Sequence, residues 1–478
     1  MTATQNAPQD TPTSVNDPGE RRYATVNPFT GTTEMEFDFT PADDIDGIIE
    51  RAHAAYGQWQ QRPVQERADV IRRAAELMDE RRDTLAALIT KEMGKRTQEA
   101  TGELQLCAMI LRYYADNGPG FLEPTSITPM MGKGEAVVET RPIGVLLAIE
   151  PWNYPFYQVA RFAAPNLMLG NTVILKHAES VPRSARAIAQ LMADAGVPEG
   201  AYVNLFATHD QVETIISDPR LQGVSLTGSE RAGAAVAAIA GANLKKCVLE
   251  LGGSDPYVVL DAADVDAAAA TAWETRISNT GQACNSNKRM IVMHDIYDDF
   301  VAGLTNRAQG LRPGDPAQEA AGTFSPLSSR KAAETLHEQV QDAVSKGATL
   351  HAGGELSEGP AAYYSPAVLT GVTEEMRAFR EELFGPVAVV YAVADDDEAL
   401  ALANDTAYGL GGAVFSADEA RARALAERLE VGMANVNTPA GEGADLPFGG
   451  VKRSGFGREL GPLGMDEFVN KRMFYVGE

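Results

Sequence analysis

The chain has 478 residues, 44 % of them apolar and 22 % charged, which is enough for a large core spread over two to four domains. Sixty-six acidic against 41 basic residues leave a net charge of −25, which argues against nucleic acid or an anionic membrane as the main partner. No apolar run reaches the ~18 residues of a membrane span. Cys107, Cys247 and Cys284 stand far apart, odd in number and outside any CxxC pattern, as expected of a reducing cytoplasm rather than a disulfide framework.

The first 20 residues are polar and rich in Pro, Ser and Thr, without a basic or apolar signal region, so a disordered lead is expected there. From Pro41 to Cys107 apolar residues recur every three or four positions with paired charges between them, the pattern of packed helices. The stretch Ile127–Arg141 alternates and ends in Arg-Pro, which predicts a strand or hairpin arm. Beyond it short apolar strands alternate with helices: IGVLLAIE, then a helix from about Tyr157 to Leu169, then TVILK, RSARAIAQLMADAG, YVNLFA and LQGVSLTGSERAG. That alternation predicts an α/β fold with a doubly wound, mostly parallel sheet. Ligands on such sheets sit at the carboxyl ends of the strands. The polar motifs collect there: Trp152-Asn153, Lys176, Glu179 and Gly228-Ser229.

The stretch from Lys245 to Arg289 carries the chemistry. Glu250 stands between apolar neighbours ahead of a Gly pair, and Cys284 follows thirty-four residues later in a Gly-Gln-Ala-Cys turn. A nucleophilic thiol needs a base and a place for negative charge, and a buried carboxylate with a raised pKa serves as that base. Read singly, each residue has a plainer meaning: most cysteines are small core residues, and Val-Leu-Glu-Leu-Gly-Gly suits a strand ending in a turn. The glycines beside both let a ligand come close. Gly228 to Gly233 lies between a strand and a helix, where free N–H groups suit a phosphate, but it is neither a GxGxxG fingerprint nor a P-loop. Asn153 offers a side-chain amide to an oxyanion. None of the six histidines has metal-type spacing, and His177 alone lies in a candidate site motif, which leaves a cofactor-free Cys–His hydrolase formally open.

LELGG with Glu250 and GQAC with Cys284 together resemble the aldehyde dehydrogenase superfamily, over about Val26 to Phe474. The resemblance implies Cys284 as nucleophile, Glu250 as base, and Asn153 with the Cys284 N–H as oxyanion donors. It implies a nicotinamide cofactor held by Trp152, Lys176, Glu179, Gly228, Ser229, Gly233, Leu251, Glu382 and Phe384. Glu179 would accept from a ribose 2′-hydroxyl and repel a 2′-phosphate, so NAD is expected, with NADP possible. Residues 21–123 and 142–250 would form the NAD(P)-binding domain, 251–450 the catalytic domain, and 124–141 with 451–478 an oligomerisation arm, giving a homodimer or homotetramer.

Arg161 matches the arginine with which succinate-semialdehyde dehydrogenases hold the far carboxylate of the substrate. Many of those enzymes carry a second arginine six residues before the nucleophile; here that position is Ser278 and the nearest arginine is Arg276. The phrases LKHAESVPRSA and PFGGVKRSGFGREL look most like the bacterial succinate-semialdehyde dehydrogenase branch. The rival expectations are a dehydrogenase of uncharged or betaine-type aldehydes, or a non-catalytic binding protein on the same fold.

Overall fold

A polar hairpin, β1 (Tyr23–Asn27) against β2 (Thr32–Phe37), opens the part of the chain that the computed structural model describes, residues 22–131, 133–318 and 320–477. The lead expected over residues 1–20 lies outside the described residues. Four helices follow: α1 (Asp44–Trp59), α2 (Val64–Glu80), α3 (Arg82–Met93) and α4 (Thr97–Phe121). Their apolar stripes turn inward; α1 buries Ile45, Ile48, Ile49, Ala52, Ala55 and Trp59. None of the described helices is long and apolar enough to cross a membrane.

Next come β3 (Thr125–Ile127) and β4 (Gly134–Pro142), the expected arm, which pair with Val469–Gly477 in a three-stranded antiparallel sheet. Ile127, Met473, Phe474 and Val476 expose apolar side chains on it.

The doubly wound unit then begins: β5 (Val145–Glu150), α5 (Tyr157–Leu169), β6 (Thr172–His177), α6 (Pro182–Ala195), β7 (Tyr202–Asn204), α7 (His209–Ser217), β8 (Leu221–Thr227), α8 (Glu230–Ala242) and β9 (Lys246–Glu250). The strands order as β9-β8-β5-β6-β7, all parallel. Both faces are covered, so the strands read as unbroken apolar runs: Leu146 and Ala148 of β5 enter one core, Val145 and Leu147 the other. Helix α5 is buried at every position from Gln158 to Leu169, because α4 and the sheet enclose it. A carboxylate starts it: Glu103 of α4 accepts from the backbone of Phe156 and Tyr157 at 2.8 and 3.1 Å, and its other oxygen takes buried Lys95 at 2.5 Å. Charge at a helix N-terminus is thereby fixed beside the loop that carries Asn153.

A seven-stranded sheet forms the second body. It runs Thr349–Ala352, Ala367–Thr370, Val387–Val393, β11 (Arg289–Met293), β10 (Pro256–Val259), Gly411–Phe415 and Met433–Val436, parallel except at the first edge. Helix α9 (Val265–Ile277) crosses from β10 to the Cys284 turn.

The stretch from 451 to 468 departs from the expected arm. Val451–Lys452 pairs with Tyr408–Gly409, and Gly455–Phe456 runs antiparallel to β9 as an edge strand of the first sheet. Glycine makes that approach possible: a Cβ on Gly455, whose φ is +112°, would lie 1.9 Å from the Leu249 carbonyl.

Candidate active site

Helix α9 ends at Ile277, and the next turn is strained. Asn279, Thr280 and Gly281 follow one another with φ of 49°, 53° and 72°. Two adjacent left-handed non-glycine residues cost on the order of 1–3 kcal/mol each, and persist only where surrounding bonds dictate them. Those bonds are present. Asn279 receives the side chain of Glu99 on its backbone N–H at 2.8 Å and donates its amide to the Asn153 carbonyl at 3.0 Å. Gln282 donates to the Asn279 carbonyl and accepts from Ser328 N–H. Arg276, fully buried, donates to the carbonyls of Gly281, Leu383, Gly385 and Val387 and to the Ser286 hydroxyl. Arg276 is thus committed to the loop and does not stand in for the arginine missing at Ser278. Ser278 itself is exposed at the α9 terminus and lines a cleft of about 250 Å³ with Arg96, Glu99 and Glu274.

Cys284 sits half-buried at the end of this turn. Burial pushes its thiol up to about 11; Arg161 and Lys288 pull it down, while Glu382 and Asp255 oppose them. The thiol therefore needs a base to react near neutrality. Glu250 ends β9, and its carbonyl accepts from Gly228 N–H at 2.9 Å. Both carboxylate oxygens are buried without a hydrogen-bond partner among the described residues. Burial raises its pKa well above the ordinary carboxylate range, Arg161 moderates the rise and Glu459 adds to it. The β9 strand end and the Cys284 turn touch through Gly253, where a Cβ would lie 2.5 Å from the Cys284 carbonyl. Asn153 is buried in the same place; its amide gives one N–H to the Gln282 carbonyl at 3.0 Å, which leaves the second for a ligand oxygen.

Arg161 is fully buried in α5, ion-paired with Glu459, 3.4 Å from the Thr227 hydroxyl, and stacked on Tyr157 and Phe448 at 5.1 and 4.4 Å. Its Nη1 has no hydrogen-bond partner among the described residues. The sequence reading missed Glu459, two hundred residues away from Glu250 along the chain. Its only signal was an acid inside the GREL phrase.

Most of the expected cofactor residues lie at the carboxyl ends of the first sheet, and Glu382 and Phe384 come from the loop ahead of Val387–Val393 in the second. Ser229 caps α8, its hydroxyl 3.3 Å from Ala232 N–H. Gly233 is explained by packing, since a Cβ there would lie 2.6 Å from Leu251. Lys176 ion-pairs with Glu179. Burial alone would raise the Glu179 carboxyl, but the lysine outweighs it and the pKa falls. The Trp152 and Phe384 rings meet edge to face at 5.7 Å. Glu382 accepts from Gly253 N–H at 3.2 Å and pairs with Lys288 at 3.0 Å. A helix N-terminus, paired Lys and Glu side chains able to bond hydroxyls, and an aromatic wall fit a dinucleotide. His177 proves structural: the neutral ring accepts from Ala178 N–H at Nδ1, 2.9 Å, and donates from Nε2 to the Pro155 carbonyl at 2.8 Å, which ties the loop after Asn153 to the end of β6.

A two-body α/β fold with a buried thiol, an unpaired buried carboxylate and an amide donor defines an enzyme equipped for covalent catalysis on a carbonyl. The chain belongs to the aldehyde dehydrogenase family, whose model matches residues 15–474. It is 59 % identical over 95 % of its length to a succinate-semialdehyde dehydrogenase [NADP(+)] of Deinococcus radiodurans, of which 94 % is covered. It is 43 % identical, over 93 % of this chain and 96 % of the other, to a succinate semialdehyde dehydrogenase [NAD(P)+] of Escherichia coli. Among solved structures, the succinic semialdehyde dehydrogenase of Streptococcus pyogenes in complex with NADP+ superposes with a TM-score of 0.92 at 41 % identity, over 95 % of this chain and all of that one. The protein is accordingly an aldehyde dehydrogenase with a nicotinamide dinucleotide cofactor.

His177 supplies a pH test of this architecture. Burial lowers its pKa from 6.5 to about 4, so below pH 6.5 the unfolded chain takes a proton that the folded one refuses. Stability is lost as pH falls from about 6.5 to 4, by on the order of 3 kcal/mol. Urea denaturation across that range should show a shallower pH slope in His177→Gln than in wild type; equal slopes would remove His177 as the source.

Proposed function

We propose that the chain oxidises succinate semialdehyde to succinate through a covalent adduct on Cys284, with Glu250 as base and Asn153 as oxyanion donor. The observation that carries the substrate is Arg161, a fully buried guanidinium whose field reaches the Cys284 thiol and which keeps one N–H group unpartnered. A buried donor of that kind suits a carboxylate, the group at the far end of a four-carbon semialdehyde. The names of the relatives support the same reading. A betaine-type aldehyde would bring a second cation against Arg161, which disfavours it. The first sheet serves as the cofactor domain, the second as the catalytic domain, and the exposed apolar strand at 469–477 as the contact of a homo-oligomer.

The chain's own groups account for the steps. Glu250 takes the thiol proton as the sulfur bonds the aldehyde carbon. The oxygen becomes an anion and accepts the free Asn153 N–H and the Cys284 N–H. A nicotinamide cofactor held by residues such as Glu382 and Phe384 would supply the hydride acceptor for that carbon. A thioester remains on Cys284. Glu250 releases the thiol proton to solvent and then takes a proton from water as the water oxygen attacks the thioester carbon; the C–S bond breaks, and the leaving thiolate takes that proton back from Glu250. Both proton abstractions use a carboxylate whose pKa burial raises, which makes it a stronger base than an exposed glutamate.

We further propose that NADP is favoured over NAD, as the Deinococcus and Streptococcus names suggest for those proteins. Glu179 alone favours NAD, but its ion pair with Lys176 offsets its charge and supplies an ammonium that suits a 2′-phosphate. Lys176→Met should lower kcat/KM for NADP about tenfold more than for NAD. A wild-type preference for NAD would count against this assignment.

Glu250→Gln should give an NADPH burst of up to about one equivalent per site followed by slow turnover. It should also lose the limb on which wild-type kcat rises with pH. Wild-type steady-state turnover in the variant would remove Glu250 as the base.

The substrate assignment is tested by Arg161→Ala on succinate semialdehyde and on butyraldehyde, which has the same chain length and no carboxylate. Loss of a charged hydrogen bond should shift the ratio of kcat/KM values by roughly 30- to 1,000-fold against succinate semialdehyde. Equal losses on both aldehydes would make Arg161 a purely structural partner of Glu459.

A further inference from the structure

Lys288 is 2 % exposed, and the chemistry described above does not use it. It stands four residues past Cys284, just ahead of β11. Its ammonium has three N–H groups and finds three oxygens: the carbonyls of Ala283 and Cys284, both at 2.7 Å, and Glu382 Oε1 at 3.0 Å. The same Glu382 oxygen takes Gly253 N–H at 3.2 Å, and Gly253 packs directly on the Cys284 carbonyl. Gly253, Glu382, Lys288 and Cys284 therefore close a ring. The Phe384 ring lies 5.8 Å from the ammonium.

We propose that Lys288 is a positioning residue that ties the cofactor-binding carboxylate Glu382 to the nucleophile turn, so that engagement of the cofactor ribose by Glu382 activates the Cys284 thiol. This rests on the assignment of Glu382 to the ribose. While Glu382 is paired with Lys288, the two charges largely cancel at the sulfur. A ribose diol that draws Glu382 away leaves the ammonium on the Cys284 carbonyl, where its charge favours thiolate. The other ionisable groups whose fields meet the thiol are Arg161, Tyr154 and Tyr157 on the α5 side and Asp255 before β10, with Glu250 at the end of β9 as its proposed base. None of these bridges the two loops as Lys288 does.

The test is the pH dependence of alkylation of Cys284 by iodoacetamide, read by mass spectrometry in the full-length enzyme with and without NADP and with no aldehyde present. In wild type, NADP should move the apparent pKa of alkylation downward. Lys288→Met should move the profile of the free enzyme upward by about half a unit or more and abolish the NADP shift. It should also raise KM for NADP several-fold more than it lowers kcat, and Lys288→Arg should recover part of each effect. Glu382→Gln, which leaves the ammonium unopposed, should move the free-enzyme profile downward. Opposite shifts in the two variants support the coupling. Shifts in the same direction, or an unchanged profile and KM in Lys288→Met, overturn it. Because no aldehyde takes part, failure here is separable from failure of the substrate assignment.

Discussion

One buried guanidinium holds the site in register. Among the described residues Arg276 has no ion-pair partner; its bonds go to four carbonyls and one hydroxyl, on the nucleophile turn, on the 382–385 loop and on the strand that follows. Removing an arginine from water is costly, and burial draws its pKa down to about 9. Five oriented acceptors offset that cost, with charged hydrogen bonds worth about 1.5–3 kcal/mol each. Because Arg276 closes α9, the helix and both loops move as one piece. The left-handed Asn279-Thr280 pair and the glycine contact between 281 and 385 are tolerable only inside this frame.

Around the thiol, charge is arranged as two opposed groups. On one side Arg161 sits among the carboxylates of Glu459, Glu250 and Glu150, all with pKa values raised by burial. On the other, Lys288 sits between Glu382 and Asp255, the latter pushed up to about 7. Neither group is neutralised by solvent, so each cation depends on its own carboxylates. A base with a raised pKa and a thiol within reach of two cations follow from the same enclosure.

Cys284, Glu250 and Asn153 were legible because each stands in a short phrase whose residue types state a chemistry. The sheet alternation was legible for a simpler reason, since strands covered on both faces must be apolar throughout. What escaped the sequence is made by contact across long separations. Glu459 meets Arg161, Arg276 meets the 382–385 loop, and Lys288 meets Glu382, with no local pattern to announce any of them. His177 was the one histidine inside a site motif, yet it is a neutral ring that accepts from Ala178 N–H and donates to the Pro155 carbonyl. Gly233 matched a phosphate motif but is required by Leu251. The resemblance grouped 451–478 with the arm; the last strand does pair there, but the glycine-rich stretch ahead of it lies on β9.

That crossing segment sets an order of events. A Cβ on Gly449 would lie 2.6 Å from Glu250 Oε1, and Gly455 runs against Leu249, so the base is enclosed by residues made about two hundred positions after it. During synthesis β5 to β9 leave the ribosome long before this cover exists. The enclosure that raises the Glu250 pKa and the ion pair of Arg161 with Glu459 therefore both wait on a segment made last.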